Sequence, residues 1–321
     1  MPMLVPPPLV EPVVRGLLGA IDVDGGPTDE QLVVLQAIVG HLWQRPDLDV
    51  RAVGGADLAT TLAAVRDEGA RLRFYEILVA LECCRHPLTE AQLVSVERAA
   101  AALGFDGPDL RLFRSMVDEG AERAKADFAR FLRWSTDARD EPSLIGTPIP
   151  QGEPEPALVR RVEEACDNPP GTLGHAFKRF YDRSGVPLPG VEFSPLNHFY
   201  VAHDMTHVIA GISTTAQAEI ALSAFLMTMA DDEVNRSALL ASMIVHEAGF
   251  GDAGKVKAEA GVLARPGAAD LLAAELARGA RCTGDFSRVD HFAVAGVPLA
   301  EIRAEYGVTA PANPDDGHHF W

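Results

Sequence analysis

The sequence predicts an all-α fold. Apolar residues, chiefly Ala, Leu and Val, recur at the three- and four-residue spacing of one helix face through most of the chain, and alternating β-branched runs bounded by turn residues are nearly absent. Helices are expected over about 28–44, 57–66, 70–84, 89–103, 109–118 and 120–134. A second group is expected over about 156–167, 172–183, 196–210, 215–230, 236–248, 267–279 and 298–306. Between the groups, 140–156 holds five prolines and two glycines with no apolar period. It reads as a linker between two helical domains, 1–145 and 146–321. The proline-rich start, 1–12, and the tail, 310–321, are expected to be partly disordered.

Charge and composition narrow the function. Against 28 Lys and Arg stand 46 Asp and Glu, a formal net charge of −18 over 321 residues. Nucleic acid or an anionic membrane surface would repel such a chain, which leaves at most peripheral membrane contact. The longest apolar run, Ile220 to Ala230, is too short to span a bilayer. The start lacks a basic segment before an apolar one, so no secretory signal is read and a cytoplasmic location is expected. Cys83 and Cys84 are adjacent while Cys166 and Cys282 stand apart, which suits reduced thiols better than a disulfide framework or a zinc ribbon.

In the first half, Thr28-Asp-Glu-Gln-Leu-Val-Val-Leu and Thr89-Glu-Ala-Gln-Leu-Val-Ser-Val lie 61 residues apart. Each opens an amphipathic helix with a threonine cap and an acidic first turn, and each follows a turn, Asp24-Gly-Gly-Pro and Arg85-His-Pro-Leu. Over about residues 16–135 this pattern resembles the TerB-like helical domain of tellurite-resistance proteins. The resemblance implies acidic turn residues able to hold a cation. Arg85-His86 stands where that family favours Asp-Gly, which leaves Asp22, Asp24 and Glu30 as the candidate site, or as solvated caps on a docking domain.

The chemistry concentrates in Asn197-His-Phe-Tyr-Val-Ala-His-Asp-Met-Thr-His-Val-Ile-Ala-Gly211. On a helix advancing about 100° per residue, Asp204 lies about 100° and His207 about 40° from His203, and Tyr200 and Gly211 extend the stripe at about 60° and 80°. Two imidazoles at i and i+4 are the spacing with which one helical turn grips an ion. Asp204 stands where a peptidase would carry the longer Glu, which disfavours a metallopeptidase. Beyond Gly211, a helix capped by Ser213 or Thr214 can bring Glu219 back to the same place. Two histidines and two carboxylates suit zinc first, and ferrous iron or manganese as alternatives.

The string His203-Asp204-x-x-His207, eleven residues, Glu219 resembles the signature of the coenzyme Q biosynthesis protein 4 family. Gly171-Thr-Leu-Gly-His-Ala-Phe and Pro298-Leu-Ala-Glu-Ile-Arg303 extend the resemblance over about residues 157–309. It implies that His203, Asp204, His207 and Glu219 hold one zinc-like ion beside an apolar cavity for a prenylated ring, with oxidative removal of a ring carboxyl as the associated step. Met205-Thr206 stands where that family often has an aromatic residue, which leaves room for a different substrate.

The expected function is a metal-dependent enzyme that decarboxylates or hydroxylates a lipophilic aromatic ring, with Tyr200 as hydrogen-bond or proton donor and Asp204 as the weakly held acid. Phe225, Leu226 and Met229 are expected to wall the ligand pocket together with Tyr200. The alternative is a non-catalytic protein that binds a lipid intermediate around a structural metal and docks other enzymes or a second copy of the chain. Gly249-Phe-Gly-Asp-Ala-Gly254-Lys255-Val256 matches two nucleotide patterns, but a helix precedes it and Val256 cannot ligate magnesium, so it reads as a loop. Asp231-Asp232-Glu233 reads as a solvated helix end, His246-Glu247 lacks a second His, and His318-His319 reads as a polar terminus.

Overall fold

A computed structural model of the protein describes residues 4–105, 112, 114, 121–250 and 258–321. Among these residues the secondary structure is helical, with a few isolated β-bridges and no sheet, so the all-α expectation holds. The helices are α1 Pro7–Ile21, α2 Asp29–His41, α3 Leu58–Ala64, α4 Glu68–Cys83, α5 Glu90–Leu103 and α6 Ala121–Asp137. They continue as α7 Pro156–Cys166, α8 Leu173–Ser184, α9 Asn197–Ala210, α10 Ala216–Met229, α11 Glu233–His246, α12 Ala268–Gly279 and α13 Leu299–Glu305. The helix expected over 109–118 lies largely outside the described residues. No helix is long and apolar enough to cross a membrane among them.

Two ends of the chain depart from expectation. Residues 7–12 belong to α1, whose prolines stand where a helix tolerates them, Pro7 and Pro8 on the first turn, with only Pro12 further in. The packing offsets that one lost backbone bond, because Val10, Val13, Val14, Leu17 and Ile21 form a fully buried stripe. The tail is likewise ordered. Phe320 donates its backbone N–H to the Gly211 carbonyl at 2.9 Å, and the Trp321 ring lies 3.6 Å under the Arg303 guanidinium.

α10 is buried on nearly every side, as a helix without an amphipathic stripe should be. Ile220, Ala224 and Met227 join an apolar cluster with α1, α2, α4, α5, α11 and α12. Leu222, Phe225, Leu226 and Met229 join a second with α7, α8 and α9. α12 packs closely on α10 because Gly279 has no Cβ; one built there would lie 2.0 Å from the Phe225 carbonyl oxygen. The halves named from the sequence thus share a core as well as the proline-rich segment. That segment is pinned at both ends rather than loose. Glu141 accepts from His291 at 2.8 Å, and Glu155 accepts from Asn197 at 2.8 Å and pairs with His198 at 2.9 Å.

One buried carboxyl has a consequence for pH. Glu82 on α4 is 1 % exposed, and burial raises its pKa to about 8 against the lowering pull of Gln92 and Arg85. A carboxyl raised on folding contributes stability that is full below its unfolded value near 4.5 and is lost as the pH climbs through about 8. Glu82→Gln removes that ionisation. In urea denaturation it is expected to gain roughly 1–3 kcal/mol over wild type at pH 9 and little at pH 5. An equal difference at both pH values would contradict this origin.

Candidate metal centre and cavity

The site is built by the close of one helix and the opening of the next. α9 ends at Gly211, whose φ of 71° is left-handed, and whose missing Cβ leaves room for the Trp321 ring. The last carbonyls of α9 are taken by two arginines. Arg303 donates to Val208 and Ile209, each at 3.0 Å, and Arg278 donates to Ala210. The chain then turns back, and Thr215, one or two residues beyond the expected cap, accepts from the Ala218 N–H at 3.2 Å to start α10. Glu219 therefore sits in the first turn of α10, facing the last turns of α9.

Three candidate ligand atoms converge there. His203 Nε2 and His207 Nε2 are 3.1 Å apart, and each lies 3.4 Å from Glu219 Oε2. The orientation of His207 is fixed from behind: its Nδ1–H donates to the Ile212 carbonyl at 3.0 Å, which leaves Nε2 as the free lone pair. Phe180 stacks on His207 and Phe199 on His203, with ring centres 5.6 and 4.8 Å apart. A cation about 2.0–2.2 Å from each of three such atoms sets them roughly 2.8–3.6 Å apart in tetrahedral or octahedral geometry. The observed triangle fits.

Asp204 stands beside the triangle, and its nearest carboxylate oxygen lies within 4.8 Å of both histidines. Its Oδ2 accepts from the Tyr181 hydroxyl. Burial raises the pKa of Asp204 against the pull of both histidines, and raises Tyr181 well above its ordinary range with help from Asp204. Glu219 is the reverse case. Burial pushes it up, yet His207 and His203 hold it well below the usual carboxylate range. His207 is raised for the matching reason, Glu219 outweighing burial. Without a metal ion this cluster shares protons among its members, and a divalent cation would displace them.

The triangle opens on a cavity of about 360 Å³. Its apolar wall includes Leu188, Leu196, Phe199, Ala241 and Val245, and Tyr200, His203, Asp204 and Glu219 line it as well. Phe225, Leu226 and Met229, expected as its wall, lie instead in the second core cluster and do not line it. Relative to Glu219, Phe225 and Met229 project from other sides of α10, and Leu226 lies about two turns, or roughly 10 Å, further along. Leu196 and Phe199 from the opening of α9, Leu188 from the loop before it and Ala241 and Val245 from α11 take their place.

The acidic site expected in the first half is not assembled as Asp22, Asp24 and Glu30. Asp22 and Asp24 are exposed, and Asp24 accepts from Thr89, which joins the two repeat turns by a hydrogen bond. Glu30 stands instead with His86 and Glu247, whose Nε2 and Oε1 are 3.0 Å apart. Burial and Glu247 raise Glu30 to about 7. The Gly-Lys end of 249–256 lies outside the described residues.

Three further residues of the site carry no spacing signal in the sequence. Tyr181 comes from α8 to meet Asp204, and Arg139 enters the cavity wall from the chain just after α6. His246, on α11, lines the cavity with its pKa lowered by burial. Only His246 belongs to a string, His246-Glu247, that attracts notice for metal chemistry, and its two residues face different places.

No protein-family model matches the chain, and no curated protein matches it. A solved structure described as a "Putative ubiquinone biosynthesis protein" from Nostoc punctiforme is similar to it at a TM-score of 0.33 and 18% identity. The match covers 73% of this chain and 97% of that one.

Proposed function

We propose that the protein is a metal-dependent enzyme whose His203, His207 and Glu219 hold one divalent cation, zinc by preference, against a cavity for a lipophilic aromatic ring. The observation that carries this reading is the 3.1–3.4 Å triangle of imidazole nitrogens and carboxylate oxygen opening on a largely apolar cavity. The donors suit zinc, ferrous iron or manganese. The resemblance of His203 to Glu219 to the coenzyme Q biosynthesis protein 4 signature supports a quinone-precursor-like ring and oxidative decarboxylation or hydroxylation as the reaction class, with dioxygen as the external co-substrate that takes up the two electrons. A bound cation would supply Lewis acidity to an oxygen of the ring substrate.

The chain's own residues divide the remaining work. Phe199, Leu196 and Val245 exclude water from one side of the bound ring. Tyr200, one turn before Asp204 on α9, presents its hydroxyl-bearing ring to the same space. Asp204, held by Tyr181 beside the triangle, acts as a positioned acid there.

Asp204→Asn separates the roles. It is expected to keep most of the metal, measured by elemental analysis, and to slow conversion of a prenylated hydroxybenzoate, followed by mass spectrometry, by roughly 10–100-fold. Loss of metal in parallel with activity would make Asp204 an ordinary ligand. Metal retained by a wild type that turns over no such ring would return the ion to a structural role in a lipid-binding protein.

A further inference from the structure

The same cavity contains a buried cation that the reading above does not use. Arg139 follows the end of α6, is 8 % exposed, and lines the cavity together with Thr136 and Asn197. Its Nε donates to the Ser135 carbonyl at 2.9 Å and one terminal nitrogen to Ser135 Oγ at 3.1 Å. Among the described residues no carboxylate pairs with it. Glu141 is bound to His291 and Ser143, and Glu259 across the cavity is paired with Arg265. A guanidinium out of water without a counter-ion is costly unless something anionic visits it. Burial lowers its pKa to about 10, which leaves it charged at neutral pH.

Its position relates it to the metal triangle. The guanidinium carbon lies 4.8 Å from the centre of the Phe199 ring, and that ring stacks on His203 at 4.8 Å. Arg139, Phe199 and His203 therefore form a continuous stack along one wall. The rest of that cavity is chiefly apolar, and its lining reaches the surface at Val186, which is 51 % exposed.

We infer that the cavity selects amphiphiles bearing an oxyanion, a carboxylate or a phosphate, and that Arg139 is the residue that pairs with that group. This rests on the ring-binding reading of the cavity and adds the residue that pairs with the occupant's acidic group. Two of the arginine's N–H groups are spent on the α6 terminus, and the remaining edge is free to meet one or two oxygens of a ligand. An uncharged lipophile of the same shape would leave the guanidinium buried and unpaired, so it is rejected rather than merely bound less well.

The test uses defined probes on the full chain after dialysis against a chelator, so that no probe can bind through a metal ion. Dodecanoate, dodecyl phosphate and dodecanol are compared by calorimetry. Wild type is expected to bind at least one of the two anions about ten-fold or more tightly than the alcohol. Which anion is preferred identifies the head group. Arg139→Gln is expected to abolish the preference, Arg139→Lys to keep part of it, and His207→Ala to keep it in full. Equal affinity of wild type for dodecanol and both anions overturns the inference whatever the variants do, as does a folded Arg139→Gln protein that still prefers an anion. Metal content of the untreated wild type reports separately on the metal reading, so either can fail alone.

Discussion

Replacing His207 with alanine is expected to remove nearly all of the bound divalent ion and, with it, the conversion of a lipophilic ring. His207 is fully buried, and its Nε2 is held in place by the Nδ1–H bond to Ile212 and by the Phe180 ring. Asp204, the other acid beside the histidines, accepts from Tyr181. Losing one of three protein donors is expected to weaken zinc by roughly 100-fold or more. The same loss is legible in stability. Wild type should gain about 2.7 kcal/mol when free zinc reaches 100 times its dissociation constant, and His207→Ala should gain almost nothing at that concentration. Urea denaturation with and without zinc measures both, and an equal gain in the two proteins would contradict the assignment.

The second large effect lies behind the site. Arg278 and Glu275 are both 2 % exposed and pair at 3.1 Å, His319 reaches Glu275 at 3.2 Å, and Arg278 donates to the Ala210 carbonyl that closes α9. Arg278→Met leaves a buried carboxylate and takes the donor from the Ala210 carbonyl, and is expected to destabilise the fold by roughly 3–5 kcal/mol. His319 remains to share the charge, which favours the low end of that range. The double variant Glu275→Gln, Arg278→Met should recover a substantial part of the loss, because no isolated charge is then left behind. Additive losses in the double-mutant cycle would show that the packing of the arginine stem, not the pair, matters.

Much of this was legible in the sequence because it is local. A helix imposes 3.6 residues per turn on its own side chains, so His203, Asp204 and His207 could be placed on one side of α9 before any packing was known, and Gly211 and Thr215 lie in the turn that brings Glu219 back. What stayed hidden depends on contacts between distant segments. Phe225 and Met229 look like pocket residues from spacing alone. Which side of α10 meets the cavity is decided by α11 and α12, one of which must approach closely at Gly279. Arg139 and Tyr181 reach the site from α6 and α8, with no spacing to announce them. The two ends misled for another reason. Prolines at 7 and 8 read as breakers, although the first turn of a helix accepts them, and the polar tail ends in Phe320, which meets Arg183 of α8, and Trp321, which meets Arg303 at the α9 terminus.

The most direct test of the account is anomalous diffraction from crystals of the zinc-loaded protein. The account predicts one strong peak per chain, about 2.0–2.2 Å from His203 Nε2, His207 Nε2 and a Glu219 oxygen, with at least one coordination position facing the cavity. A loaded protein whose peak lies elsewhere, with the His203, His207 and Glu219 triangle empty, would contradict it.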